Sequence, residues 1–208
     1  MSTLKLNGKD LASQTSSAEP VIASTVTGGA GLSGSTSLGT VTVGNLSHAD
    51  IVYPAGHVLQ VINAGKDDWF STGSSVGSFV DITGLSITIT PKSSSNRILL
   101  IASVSCGHNA DNGHSYLALA RGGTLIGIHG SASSRTSAGA VVNSTATGEQ
   151  ATYTLMFYDS PATTSATTYT VKGCSSDTLY INSSHRDNDG ANFDGRTYSS
   201  LTAMEVVV

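Results

Sequence analysis

Between residues 53 and 208, apolar and polar residues alternate in short runs broken by Gly, Pro, Asn and Asp. In SFVDITGLSITITPK (78–92), Leu85, Ile87 and Ile89 oppose Ser86, Thr88 and Thr90, and Pro91 closes the run. A two-residue period of this kind predicts a strand with one face in a core. HVLQVINA (57–64) predicts another strand, entered through Pro54 and Gly56. NRILLIASVSC (96–106) is almost continuously apolar, as a strand in the middle of a sandwich should be. SYLALARGGTLIGIHG (115–130) predicts a hairpin about Gly122-Gly123. AVVNST (140–145) and ATYTLMFYDS (151–160) supply two more strands. TTYTVKGC places Tyr169 and Val171 on one face, and DTLYINSS places Leu179 and Ile181 opposite Tyr180. SLTAMEVVV forms a last strand. No segment keeps a helical period, and about nine or ten short strands with frequent turns predict an antiparallel β-sandwich or jelly-roll-like domain over 51–208.

Residues 1–50 follow a different rule. STVTGGAGLSGSTSLGTVTVGNLS (24–47) is rich in Gly, Ser and Thr, with isolated Val and Leu. Such a segment buries too little apolar surface to offset its own ordering entropy. It predicts an extended N-terminal arm that becomes ordered by lying on another surface. Leu4, Leu6, Leu11, Val21 and Ile22 are its candidate anchoring residues.

Composition narrows the function classes. Charged residues make up 12% of the 208, and 23 are Gly. The net charge of -4, with arginines scattered singly (Arg97, Arg121, Arg135, Arg186, Arg196), argues against a nucleic-acid partner. No apolar run approaches the roughly 20 residues of a spanning helix, so membrane insertion is not expected. MSTLKLNGKDLASQ lacks the apolar core of a signal peptide, which predicts assembly in a cytoplasm. Cys106 and Cys174 read as two small buried thiols; a bridge between strand ends is the lesser alternative.

Reactive constellations are sparse. HNADNGH (108–114) gathers His108, Asp111 and His114 beside Cys106, with His129 as a further ligand for zinc, but a polar Asn-Gly turn explains it better. Asp187, Asp189 and Asp194, with Gly190 and Gly195, resemble a calcium loop. Counted from Asp187, however, Ala191 and Tyr198 occupy positions five and twelve, where ligands are required. Asp81, Asp111, Glu149, Asp159 and Asp187 are too dispersed for a glycosidase pair. No nucleophile elbow, phosphate-binding loop or dinucleotide fingerprint occurs. The expectation is therefore a non-enzymatic protein with no cofactor and no metal. Trp69 reads as a core cap or subunit contact.

Several blocks in order, GHVLQV, FVDITGLSITITPKSSSNRILLIASVS, LARGGTLIG, FYDSPATTSATTYTVK, LYIN and RTYSSLTAMEV, resemble the C-terminal domain of tail-fibre-type virion proteins of tailed bacteriophages, cyanophages among them. The resemblance spans about Pro54 to Val208, and KLNGKDLASQTSSAEPVIASTV is similar to the N-terminal attachment segments of such fibres. It implies a virion location and a homotrimer, its arm docked on other phage virion proteins and its β-domain facing a host-surface glycan or lipopolysaccharide. The long shaft of many fibres is missing, which suits a stubby fibre or a capsid cement protein whose arm clamps neighbouring subunits. No catalytic motif comes with the family. Loops on a rigid scaffold commonly carry recognition, and the candidate receptor loops are 107–114, 130–138 and 184–197. Their candidate contacts are His108, Asp111, His114, Arg135, His185, Arg186, Asp187 and Asp189.

Overall fold

The computed structural model describes residues 2–6, 9–14, 21–22, 52–109, 114–130, 133–143, 148–190 and 194–208. The chain divides into two units, Met1–Asp50 and Ile51–Val208. The first holds a three-stranded antiparallel sheet of β1 (Ser2–Leu6), β2 (Lys9–Gln14) and β3 (Val21–Ile22). Leu4 and Leu6 fall in β1, Leu11 in β2, and Val21 and Ile22 in β3; their side chains lie outside the described residues. The Gly/Ser/Thr-rich stretch at 24–47 lies outside them too.

The second unit is an antiparallel β-sandwich with a jelly-roll-like path. Its strands are β4 (Val58–Lys66), β5 (Phe70–Thr72), β6 (Val80–Ile89), β7 (Arg97–His108), β8 (Ser115–Arg121), β9 (Thr124–Ile126), β10 (Ala140–Val142), β11 (Ala151–Asp159), β12 (Thr167–Ser175), β13 (Leu179–Ile181) and β14 (Ser199–Val206). One sheet runs β6-β12-β8, with β9 and β10 sharing the far edge of β8. The other runs β4-β14-β7-β11, and beyond Ser103 the short β13, backed by β5, takes over from β14 along β7. From β6 to β8, and again from β11 to β13, the chain crosses from sheet to sheet. Among the described residues there is no helix long and apolar enough to cross a membrane.

Strand alternation builds the core between the sheets. Ile98, Leu100, Ala102, Val104 and Cys106 of β7 point inward with essentially no exposure, facing Leu85, Ile87 and Ile89 of β6 and Tyr169 and Val171 of β12 across one cluster. Cys106 and Cys174 are both free and buried, and burial pushes both thiols up, Cys106 strongly. Gly84 sits in the left-handed region (φ 91°) inside an irregularity of β6, where Lys66 packs 3.5 Å from the position a Cβ would take. The strand β5 is absent from the sequence reading, being only three residues long and carrying one large apolar residue. Trp69, just before it, is 54% exposed and so does not cap the core.

Two buried acids tie the ends of strands together. Glu205, on β14, is fully buried and accepts hydrogen bonds from Gln60 Nε2 (2.5 Å), the Lys92 backbone N–H (2.6 Å) and Asn96 Nδ2 (2.7 Å). That set joins β4, β14 and the β6–β7 connection. Asp159, at the end of β11, accepts Arg121 Nη1 at 2.9 Å and the Tyr169 hydroxyl at 2.6 Å, joining the two sheets. Burial, and the Asp159 carboxylate beside it, push the Tyr169 phenol well up, so it remains a donor.

The outward face of the larger sheet is graded. Its rows read Val58–Val206–Arg97, then Val61–Met204–Leu99–Tyr158, then Asn63–Thr202–Ile101–Met156, then Gly65–Ser200–Ser103–Thr154. The face passes from apolar at the Arg97 end to hydroxyl-bearing at the His108 end.

The Glu205 arrangement yields a test. Glu205→Gln replaces a carboxylate oxygen with an NH2 group that faces existing donors, and should cost about 2–3 kcal/mol. Chemical denaturation should show a lowered midpoint with an unchanged slope.

Candidate functional site

Topology collects several connections at one end of the sandwich. The β7–β8, β10–β11, β12–β13 and β13–β14 connections all meet where β7 ends at His108. The longest of them, between Ile181 and Ser199, carries the highest local density of charge.

That loop is fastened at its base by a buried polar knot. Asn182, the first residue past β13, adopts φ 60°, a left-handed conformation that Asn tolerates better than most residues. Its backbone N–H donates to Ser105 O at 2.9 Å. Its side-chain amide donates to Lys66 O (2.9 Å) and Asp68 O (3.0 Å), while Oδ1 accepts the Ser199 hydroxyl at 2.6 Å. Ser199 Oγ in turn accepts the Ser105 backbone N–H at 3.0 Å. Both ends of the loop are therefore locked to β7, with Asn182 and Ser199 fully buried. Gly107 allows the next layer to close in, since a Cβ there would lie 2.9 Å from Glu149 O and 3.0 Å from Ser183 O.

Above the knot, Asp194 organises the turn. Its side chain is only 5% exposed and accepts Arg186 Nε at 2.9 Å and Nη2 at 3.1 Å in a two-pronged pair. Ser184 Oγ (2.8 Å) and the Asn188 backbone N–H (2.8 Å) complete its partners. The Arg186 guanidinium, ahead of those two donors, holds the Asp194 carboxyl far below the usual carboxylate range. Asp187, with φ 42°, accepts Ser183 Oγ at 3.0 Å and pairs with Arg196 at 2.8 Å. Asp187, Asn188, Asp189, Asp194 and Arg196 border an open recess of about 520 Å³. Its described lining presents carboxylate, amide and guanidinium groups, an arrangement able to hydrogen-bond a polar ligand. Among the described residues no group of three or more His, Cys, Asp or Glu is placed to hold a metal ion.

The structure distributes the sequence-predicted contacts unevenly. Arg186, Asp187 and Asp189 lie exposed in the loop, though the Arg186 guanidinium is committed to Asp194. His185 is half-buried, its Nδ1 3.0 Å from the Tyr180 hydroxyl. His114 is exposed at the same end, its backbone bonded to Ser176. Asp111 lies outside the described residues.

His108 requires a correction. It is the last residue of β7 and is fully buried, with Nδ1 2.8 Å from Ser115 Oγ and that hydroxyl 2.8 Å from Ser175 Oγ. The apolar strand continues two residues past the point where its hydrophobic run stops, so His108 belongs to a core hydrogen-bond chain and touches no solvent. Arg135, in the β9–β10 connection, borders a separate 290 Å³ hollow with His129 and with Val141 of β10. The sequence reading includes Ser184 and Asp194 in the 184–197 loop without assigning them a fastening role, and it leaves Asn182 outside. An Asn-Ser-Ser run directly after a strand, with an Asp ten residues beyond, was the available signal.

Comparisons with known proteins add little. No family model matches the chain, and no curated protein matches it in sequence. The solved structure of T=1 particles derived from infectious bursal virus is similar over 71% of this chain, with 12% identity and a TM-score of 0.38. The aligned part spans 40% of that viral chain. So loose a likeness carries no argument about function.

Two measurements check the site. Asn182→Ala removes three side-chain hydrogen bonds and leaves buried partners unmet, and should lower unfolding free energy by roughly 2–4 kcal/mol. Because the Asp194 carboxyl is held low, its stabilisation is complete above an ordinary carboxylate pKa of about 3.9 and fades as pH falls below it. Asp194→Asn should therefore lower Tm at pH 7, and thermal melts should show the difference from the parent narrowing below about pH 4.

Proposed function

We propose that this chain is a non-enzymatic structural protein of a phage virion. In this reading it is a short trimeric tail fibre, with residues 1–50 docked on the virion and the β-domain adhering to a host-surface glycan or lipopolysaccharide. The observation that carries the reading is the loop recess fixed by Asn182 and Asp194. A rigid cluster of carboxylate, amide and guanidinium groups suits a polyhydroxylated ligand, because each sugar hydroxyl both donates and accepts. The resemblance of the sequence blocks to phage fibre domains supports the same assignment. A single recess of this openness gives weak contact, and several copies on one particle multiply it.

A capsid decoration protein is the second reading. It is favoured by the paired strands β1–β3 within the first 22 residues, a terminal sheet with edges to offer a neighbouring subunit.

The two are separated by binding of the full-length protein to an array of bacterial surface polysaccharides and to filled capsids that lack it. Adhesion predicts polysaccharide binding that falls roughly tenfold or more in Asp189→Ala/Arg196→Ala with little change in Tm, since both side chains are exposed on the recess and the Arg196 ion pair is a surface one. Binding to capsids alone, abolished by deletion of residues 1–50, overturns adhesion in favour of decoration. Binding to neither overturns both.

A further inference from the structure

We propose that the rings of Trp69 and Tyr198 form a stacking platform beside the recess, and that the ligand they take is a neutral hexopyranose chain. The proposal rests on the adhesion reading and narrows its ligand to an uncharged sugar, one face on the rings and its hydroxyls turned to the recess.

Trp69 is 54% exposed and Tyr198 58%, and these are two of the residue types that most often anchor a binding surface. Each is tied through its backbone to the Asn182 knot. Trp69 follows Asp68, whose carbonyl accepts the Asn182 amide at 3.0 Å. Tyr198 precedes Ser199, whose hydroxyl donates to Asn182 Oδ1 at 2.6 Å. One buried side chain therefore fixes the backbone next to both rings. Tyr198 also stands two residues from Arg196, on the border of the recess.

Local geometry keeps both rings in the open. The Ile181–Phe70 pair ends the β13–β5 ladder, and Phe70 packs on the core. Strand alternation turns Trp69, one residue earlier, away from that core. Tyr198 is braced in another way. Its hydroxyl end fills the place a Cβ would occupy at Gly65, with Cζ 2.6 Å from that position. Gly65 belongs to an outward row of the larger sheet, so any larger residue there would have to displace the ring. A ring braced on backbone loses little freedom when a ligand covers it.

The chemistry of the two parts is complementary. A hexopyranose presents C–H groups on its faces and hydroxyls around its rim. The faces suit an aromatic ring, whose electron-rich π face meets weakly positive C–H hydrogens. The rim suits the carboxylate, amide and guanidinium groups of the recess. Charge then selects among sugars. Lys66–Asp68, Arg186–Asp194 and Arg196–Asp187 are balanced ion pairs. Asp67 beside Trp69 and Asp189 on the recess are exposed and in no ion pair among the described residues. The surplus of negative charge opposes uronates and sugar phosphates, whereas a neutral sugar meets no such repulsion.

Trp69 is the single tryptophan of the chain, so its emission reports directly on the platform. The full-length protein is titrated with neutral glucan, galactan and mannan oligosaccharides, and with oligogalacturonate and a mannose phosphate as charged counterparts. At least one neutral probe should shift the emission saturably, and the charged probes should not. By calorimetry, Trp69→Ala and Tyr198→Ala should each weaken that binding roughly tenfold or more. Trp69→Phe should retain most of it, and Gly65→Ala should weaken it by displacing the Tyr198 ring. Trp69→Ala alters an exposed side chain and should keep the parent's Tm, so it decides the matter even if Tyr198→Ala fails to fold. Sugar binding that leaves the emission unchanged and survives Trp69→Ala, yet is lost in Asp189→Ala/Arg196→Ala, overturns the platform and leaves adhesion through the recess standing. Binding of the charged probes alone overturns the choice of a neutral ligand. A parent that binds no carbohydrate overturns this inference together with adhesion.

Discussion

Strand β7 is the constraint on which the second unit depends. Its twelve residues are paired along both edges, by β11 on one side and by β14 and then β13 on the other. A strand held this way cannot slip by one residue without turning Ile98, Leu100, Ala102 and Val104 out of the core. Its outward residues then determine what the two ends of the sheet can do. Leu99 and Ile101 are half-buried, whereas Ser105 is buried beneath the loop that Asn182 and Ser199 fasten to it.

With few charges to spend, the chain places buried polar groups where segments must be joined. Glu205 binds an edge strand and a connection to the C-terminal strand, Asp159 spans the two sheets, and Asn182 closes a loop. Each is surrounded by donors and acceptors, since an unmet buried group would cost more than the hydrogen bond contributes. Neither Glu205 nor Asn182 has a counter-charge among these partners; amides, hydroxyls and backbone groups do the work, in keeping with the composition. Five described cations, Lys66, Arg121, Lys172, Arg186 and Arg196, are meanwhile held in ion pairs.

The fold was largely legible because strand alternation is local. Leu85, Ile87 and Ile89, or Leu179 and Ile181 opposite Tyr180, report their faces without reference to any other strand. The Asn7-Gly8 pair between β1 and β2 is the sequence mark of a two-residue hairpin, whereas the Gly/Ser/Thr-rich composition of 24–47 points to an extended arm for the whole of 1–50. The site was less legible. His108 looks like a loop histidine until the pairing of β7 with β13 shows the strand continuing through it. Asp194 owes its importance to Arg186 and Ser184, and an eight- or ten-residue span across a turn leaves no periodic trace. Arg135 and Arg186 look equivalent as single cations in polar loops, and only the fold puts Arg135 on a separate hollow and ties Arg186 to Asp194.

Polarity along β7 is graded by position on the strand axis. The outward rows at the Arg97 end carry Val61, Met204, Leu99 and Tyr158, the loop with the Arg186–Asp194 pair lies at the His108 end, and the hydroxyl rows of Thr202, Ser200 and Thr154 stand between them. Taking that loop's charges out of water would desolvate them without adding partners. Hydroxyls hydrate readily and carry no net charge, so a chain poor in charge and rich in Ser and Thr separates apolar rows from ionic groups over only a few residues.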